Sequence, residues 1–236
     1  MQVLAGTSGF SYKEWCGHFY PEKFPGDRML RYYAERLPTV EINNTFYRMP
    51  AEAMLARWAT EVPEHFAFTL KAPRRITHEK RLREAEENVA EFIRRAAALG
   101  GKLGVLLFQL PPFLKKDLPR LKDFLGVLPS GRRAAFEFRN ESWQSEDVYD
   151  ALRAHGAMLC VTDSDEGDTP FVATSNEGYV RLRRTHYDDK DLRGWVERIA
   201  AHKLERAYVY FMHEDDALGT GWAKRAMELW GERSSA

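Results

Sequence analysis

Short strand-like runs alternate with amphipathic helical stretches from one end of this chain to the other, and that rhythm admits few folds. The runs fall at 3–8, 40–45, 66–71, 104–110, 134–139, 157–163, 179–183 and 207–213. Repeated βα units of this kind build parallel sheets covered by helices. The stretches between them carry start and stop signals. Glu84, Glu86 and Glu87 crowd a first turn, Val89, Phe92, Ile93 and Ala96 form an apolar stripe, and Gly100-Gly101 ends it. Ser145 stands as the cap of a helix that stops at Gly156, and Asp117 precedes another.

Eight strands with eight evenly spaced helices and no composition break favour closure into a single (β/α)8 TIM-type barrel over a doubly wound open sheet. The chain's 236 residues suit one such domain, over 1–231, with 232–236 read as a disordered tail. Formal net charge is zero, so no global field draws in nucleic acid or an anionic membrane. The two cysteines, Cys16 and Cys160, lie far apart and form neither a disulfide framework nor a metal-spaced group. With no leader-like start and no long apolar run, a cytoplasmic location and no membrane partner are expected. No cofactor follows from the residues, because Walker, GxGxxG, HExxH and GxSxG patterns are absent.

Strands of a parallel barrel are covered on both faces and should read as nearly continuous apolar runs. Several here do not. Val40-Glu41-Ile42-Asn43 places Glu41 and Asn43 on one face, Phe136-Glu137-Phe138-Arg139 repeats the pattern, and Tyr179, Arg181 and Arg183 share one parity. Lys71, Gln109, Asp163 and His213 add polar groups near the ends of other strands. A charge left unpaired in a barrel core is costly, so each of these needs a partner or must reach the aqueous mouth at the carboxyl ends, where barrel enzymes work. Two readings follow. Glu41, Glu137, Arg139 and Arg181 form an interior ion-pair network, or the ring is a site.

As a site, Lys71, Arg139 and Arg181 would hold a small anionic or sugar-like molecule, and Glu41 and Glu137 would be its acid/base pair. Asn43 and Gln109 would orient it, His78 would cover it, and Tyr47, Trp143 and Asp163 would complete its surroundings. The carboxylates with His213, Glu214, Asp215 and Asp216 also offer a weak divalent-metal set, which is not adopted here.

The segment 71–83 holds Lys71, Arg74, Arg75, His78, Lys80, Arg81 and Arg83 against Glu79 alone, which suits a phosphate, a nucleic-acid backbone or a merely solvated loop. Aromatics crowd the loops after strands one, two and five: Phe10, Tyr12, Trp15, Phe19, Tyr20, Phe46, Tyr47 and Trp143. They would stack on a sugar or base, or plug the barrel top. Three functions therefore stand: an acid/base enzyme, a nucleic-acid-binding or processing protein, and a non-catalytic scaffold.

Gly6-Thr7-Ser8-Gly9-Phe10-Ser11-Tyr12, then Trp15, Gly17 and Phe19-Tyr20-Pro21, lead into Thr39-Val40-Glu41-Ile42-Asn43-Asn44-Thr45-Phe46-Tyr47. Phe68, Lys71, Ile76-Thr77-His78, Phe108-Gln109-Leu110-Pro111-Pro112, Ala135-Phe136-Glu137-Phe138-Arg139 and Ser142-Trp143 follow in order. In these phrases the chain resembles the YecE-like family, domain of unknown function 72. The resemblance covers nearly the whole chain and implies a TIM-type barrel, without an established reaction. Where that family carries a His-Gly pair after strand seven and Asn residues after strand eight, Arg183-Arg184 and Met212-His213 stand here. The first five strands therefore carry the likeness to the family's site.

Overall fold

A computed structural model of the chain describes residues 1–165, 167–212 and 215–234. Its eight strands are β1 (Gln2–Ser8), β2 (Thr39–Ile42), β3 (Ala67–Lys71), β4 (Leu103–Gln109), β5 (Ala134–Glu137), β6 (Met158–Asp163), β7 (Glu177–Leu182) and β8 (Arg206–Phe211). All pair in parallel with their sequence neighbours, and β8 closes on β1 through Leu4↔Tyr208 and Thr7↔Phe211. The eight-stranded barrel expected from the sequence rhythm is the fold. Strands two, five and eight stop short of their expected ends, because Asn43, Arg139 and Met212 already belong to the turns at the mouth.

The covering helices are α1 (Met29–Ala34), α2 (Asn44–Tyr47), α3 (Glu52–Glu61), α4 (Glu86–Ala96), α5 (Leu118–Val127), α6 (Glu146–Ala154), α7 (Asp189–Ala200) and α8 (Leu218–Ser234). Their apolar stripes face the strands: Val89, Phe92, Ile93 and Ala96 of α4 and Leu192, Trp195, Val196 and Ile199 of α7 are all buried. Asp117 caps α5 by accepting from the Arg120 amide, and Asp188 with Asp191 forms a capping box on α7. Ser145 precedes α6 as expected, but its hydroxyl turns to Asp147 at 2.6 Å instead of capping.

Two expectations are corrected. No helix lies between β6 and β7 among the described residues; the connection is a loop carrying Gly167 and Pro170, which do not propagate a helix. Thr174 anchors that loop to the strand layer, accepting from the Leu159 amide and donating to the Ala157 carbonyl, each at 2.8 Å. Of the tail expected over 232–236, the first three residues continue α8 as far as Ser234, where Glu232 pairs with Arg193 and Arg225, and Arg233 with Glu197; residues 235 and 236 lie outside the described residues.

Side chains inside the barrel form a small group of their own: Leu4, Val105, Leu107, Ala135, Met158, Cys160, Tyr179, Tyr208 and Tyr210. The Tyr210 hydroxyl meets the hydroxyls of Thr39 and Thr69 at 2.7 and 2.8 Å, a satisfied polar rung at mid-barrel. Above it the interior turns ionic. Gly6 marks the tightest approach in the wall, since a Cβ there would strike the Thr39 carbonyl. Gly6→Ala therefore lowers folding stability by about 1–3 kcal/mol through overpacking, read from the urea-unfolding midpoint.

Candidate functional site

Strand parity decides which side chains enter the barrel. On β1 and β2 the inward positions end in Ser8 and Glu41, on β3 and β4 in Lys71 and Gln109, on β5 in Glu137, and on β7 in Tyr179 and Arg181. The alternation picked out Glu41, Glu137, Tyr179 and Arg181, and Lys71 and Gln109 were noted as polar strand ends; the barrel brings them together with Ser8, which the sequence reading did not single out.

Arg181 lies at the centre with no exposed surface. One guanidinium nitrogen donates to Glu41 at 2.7 Å and the other to Glu137. Glu41 is fully buried and its oxygens are engaged. Oε1 also accepts from Ser8 at 2.8 Å, and Oε2 accepts from the Tyr179 hydroxyl at 2.5 Å. Glu137 accepts from the Gln109 amide at 2.8 Å and has Arg183 at 3.7 Å. Asn43 donates to the Ser8 hydroxyl, while among the described residues its own amide oxygen and Arg181 Nε have no hydrogen-bond partner. The interior ion-pair network foreseen from the sequence therefore exists, with Arg181, Glu41 and Glu137 as members and Arg139 outside it.

Burial alone would push the Glu137 carboxyl up, but Arg181, the Gln109 hydrogen bond and Arg183 together hold it below the ordinary carboxylate range. It is ionised at neutral pH, and so acts as a fixed negative charge rather than a proton donor.

A second layer rims the mouth. Lys71 is half-buried; Thr45 fixes its backbone by donating to its carbonyl at 2.6 Å, and its ammonium lies 4.5 Å from the centre of the Phe46 ring. Among the described residues no carboxylate forms an ion pair with Lys71 or with the exposed Arg139. Burial first, then Arg181, lowers the Lys71 pKa to about 8 against the pull of Glu41 and Glu137, and Arg139 adds to the lowering. His78 sits in a π-helical turn (Arg75–Glu79), edge-on to the same Phe46 ring at 4.8 Å, with Nδ1 2.9 Å from the Thr77 hydroxyl. Burial, Lys71 and Arg139 push its pKa down, so at neutral pH it is an uncharged imidazole. Tyr47, 74% exposed, stands beside Phe46 at the outer edge.

Two clefts open here. One of about 630 Å³ is bounded by Glu137, Arg139, Thr162, Asp168 and Arg183. The other, of about 360 Å³, lies between the loop after β1 and α3 and takes in Phe10, Asn43, Arg57 and Trp58.

Asp163 and Trp143, expected at the site, are placed elsewhere. Asp163 points outward from β6 toward α7, where it accepts from the Tyr187 hydroxyl at 2.5 Å, the Trp195 indole at 3.1 Å and the Arg183 amide at 2.9 Å. Thr162, not Asp163, is the inward residue at that strand end. Trp143 has no exposed surface; its indole donates to the Leu114 carbonyl at 2.7 Å and its ring stacks on Phe138. Phe10, Trp15 and Tyr20 are likewise buried: Trp15 stacks on Tyr20, whose hydroxyl donates to the Phe10 carbonyl, and Tyr20 and Phe10 pack against Tyr32 and Tyr33 of α1. Arg183, Ser8 and Tyr179 were not among the expected site residues, although the parity of their strands pointed inward.

The basic segment 71–83 does not form one surface. Arg74 pairs with Glu79 at 3.1 Å, Arg83 faces Asp117 at 3.7 Å, Lys80 binds the Glu84 carbonyl, and Arg81 lies over Phe113. Among the described residues no cluster of three or more His, Cys, Asp or Glu is disposed to hold a metal; His213 and Glu214 lie outside them. No helix among them is long and apolar enough to cross a membrane.

A family profile described as "Protein of unknown function DUF72" matches residues 4–236. The chain belongs to the DUF72 family. It is similar to UPF0759 protein YunF of Bacillus subtilis strain 168, 27% identical over 236 aligned residues that cover 91% of this chain and 81% of that protein. UPF0759 protein YecE of Escherichia coli K12 is 34% identical over 145 residues, 59% of this chain and only about half (53%) of that relative. A crystal structure of a DUF72 family protein from Thermotoga maritima MSB8 matches with a TM-score of 0.83 and 26% identity, covering 100% of both chains. A second, from Enterococcus faecalis V583, shares the fold with a TM-score of 0.79 at 20% identity, covering 98% of this chain and 96% of that one.

Two outcomes follow for this DUF72 barrel. Arg181→Met leaves two carboxylates buried without their cation and lowers stability by about 3–5 kcal/mol, measured by urea unfolding. Because the folded-state pKa of Glu137 is depressed, its stabilisation is present above the ordinary carboxylate range and is lost as pH falls through the folded value. Melting temperatures across an acid series show this limb in the wild type and a weaker one in Glu137→Gln.

Proposed function

We propose that this barrel binds a small anion, a phosphate- or carboxylate-bearing molecule, at the mouth and that Lys71 moves a proton on it. The carrying observation is the charge arrangement. Above the buried network of Arg181, Glu41 and Glu137, Lys71 and Arg139 form no ion pair with a described carboxylate; Arg183 faces Glu137 at 3.7 Å, and Asp168 on the same cleft is held by Arg184 and Arg198. A half-buried ammonium left without a counter-ion costs stability, and a site for an anion accounts for that cost.

The acid/base role assigned to Glu41 and Glu137 passes to Lys71 in this reading. Glu41 is enclosed and saturated with hydrogen bonds; it orients Arg181 and Tyr179. Glu137 stays ionised, holds Arg181 and Arg183 in place and keeps the mouth from becoming more cationic still. A lysine with a pKa near 8 divides between ammonium and amine around neutral pH, as proton transfer requires. Arg139 and Arg183 supply guanidinium donors for phosphate or carboxylate oxygens. Gln109 positions Glu137, and His78 and Tyr47 form the outer wall with Phe46. Asp163, held against α7, and Trp143, held on the Leu114 carbonyl, take no part in binding the ligand.

Nucleic-acid binding has less support, because three of the four arginines of 71–83, Arg74, Arg83 and Arg81, are drawn to Glu79, Asp117 and Phe113 instead of forming a track.

Titration calorimetry with inorganic phosphate tests the reading. Lys71→Met and Arg139→Ala each weaken phosphate binding about tenfold or more, in line with the loss of one charge-assisted contact. Wild-type binding also declines as pH rises through about 8, where Lys71 loses its proton. Equal binding by all three proteins, or none by the wild type, overturns it.

A further inference from the structure

We infer that Lys71 is also a nucleophile, forming an imine with the carbonyl carbon of a small aldehyde or ketone that carries a carboxylate or phosphate. The inference rests on the anion-binding reading and goes beyond it, naming the substrate class and a covalent step. It begins with the surroundings of the Lys71 amine. The groups that act on it are Arg181 of β7, Glu41 of β2, Glu137 of β5 and Arg139 just beyond β5, with the Phe46 ring beneath and His78 across the same ring. The two arginines oppose a third positive charge. The two carboxylates that favour one are already held by Arg181.

A lysine kept only for electrostatic attraction is best placed beside a carboxylate, in water, fully charged. This one is half out of solvent between Arg181 and Arg139, which favour the uncharged amine, and that influence outweighs Glu41, Glu137 and the Phe46 face, which favour the ammonium. Its main chain is held by the Thr45 hydroxyl, so the short reach into the mouth starts from a fixed point. Arg139, which acts on the Lys71 amine, lines the 630 Å³ cleft together with Arg183, and both are available for the anionic group of a molecule whose carbonyl faces the amine.

The step balances without a co-reactant. The amine lone pair attacks the carbonyl carbon, the carbon–oxygen π pair moves to oxygen, and transfer of a proton from nitrogen to that oxygen gives a carbinolamine. Loss of hydroxide, protonated to water, and of the remaining nitrogen proton to solvent at the open mouth leaves a carbon–nitrogen double bond. Overall, amine plus carbonyl gives imine plus one water, and hydrolysis reverses it.

Reductive trapping on the full chain tests this. Pyruvate with sodium cyanoborohydride converts an imine into a stable carboxyethyl-lysine, located by peptide mass mapping. Lys71 is expected to be labelled at least ~10-fold faster near neutral pH than the exposed Lys13, Lys115 and Lys122, given the larger fraction of neutral amine. Labelling rises with pH through about 8, is slowed by Arg139→Ala, and at Lys71 is weaker with acetone, which lacks the anion. Lys71→Arg removes the fast-labelled site. Labelling spread over surface lysines with no preference for Lys71, while phosphate binding still depends on Lys71, overturns the imine and leaves the anion site standing. Absence of both overturns both.

Discussion

A guanidinium without exposed surface, gripped by two carboxylates inside the barrel, is the constraint around which the rest of this molecule is arranged. Arg181 comes from β7, Glu41 from β2 and Glu137 from β5, so one side chain ties together three separated strands of the wall. Such a buried network is weak as a source of net stability, because desolvating three charges offsets most of their attraction. What it does supply is direction. The planar fork of the arginine sets the rotamers of both carboxylates, Glu41 then aligns Ser8 and Tyr179, and Glu137 aligns Gln109 and faces Arg183. The arrangement of the rim is inherited from the interior.

Much of the barrel was legible in the sequence because period and punctuation agreed: eight strands lie where the runs fell, and the stripes of α4 and α7 are buried as spaced. The inward ring was legible wherever polar and apolar residues alternate, as in Val40-Glu41-Ile42 and Phe136-Glu137. It was illegible on β6. Met158-Leu159-Cys160-Val161 is apolar at both parities, so nothing in that run says which face Asp163 shares, and its place at a strand end suggested the mouth. Parity counted from Cys160, an interior residue, puts Thr162 inside and Asp163 against α7. Trp143 was misplaced for another reason. A loop indole looks available to a ligand until its N–H is found on a main-chain carbonyl under the loop.

Charge was the least readable feature. The segment 71–83 looks like one basic run, yet the fold sends Lys71 inward on the parity of Thr69, gives Arg74 and Arg83 carboxylates, and lays Arg81 along Phe113. Sequence proximity of like charges says little when a strand end, a π-helical turn and the turns after it divide them within a few residues.

The missing helix between β6 and β7 has an architectural effect. Every other strand is followed by a helix that braces the wall, whereas here the described part of the connection is a loop held at Thr174. Ser164, Asp165, Gly167, Asp168 and Thr169 of that loop form one bank of the larger cleft beside Glu137 and Arg183. The segment can therefore vary in length and composition while the helical packing around the rest of the barrel stays intact. In a scaffold whose interior is committed to an ionic lock, this is the stretch where divergent members of a lineage can reshape the doorway while keeping the room behind it.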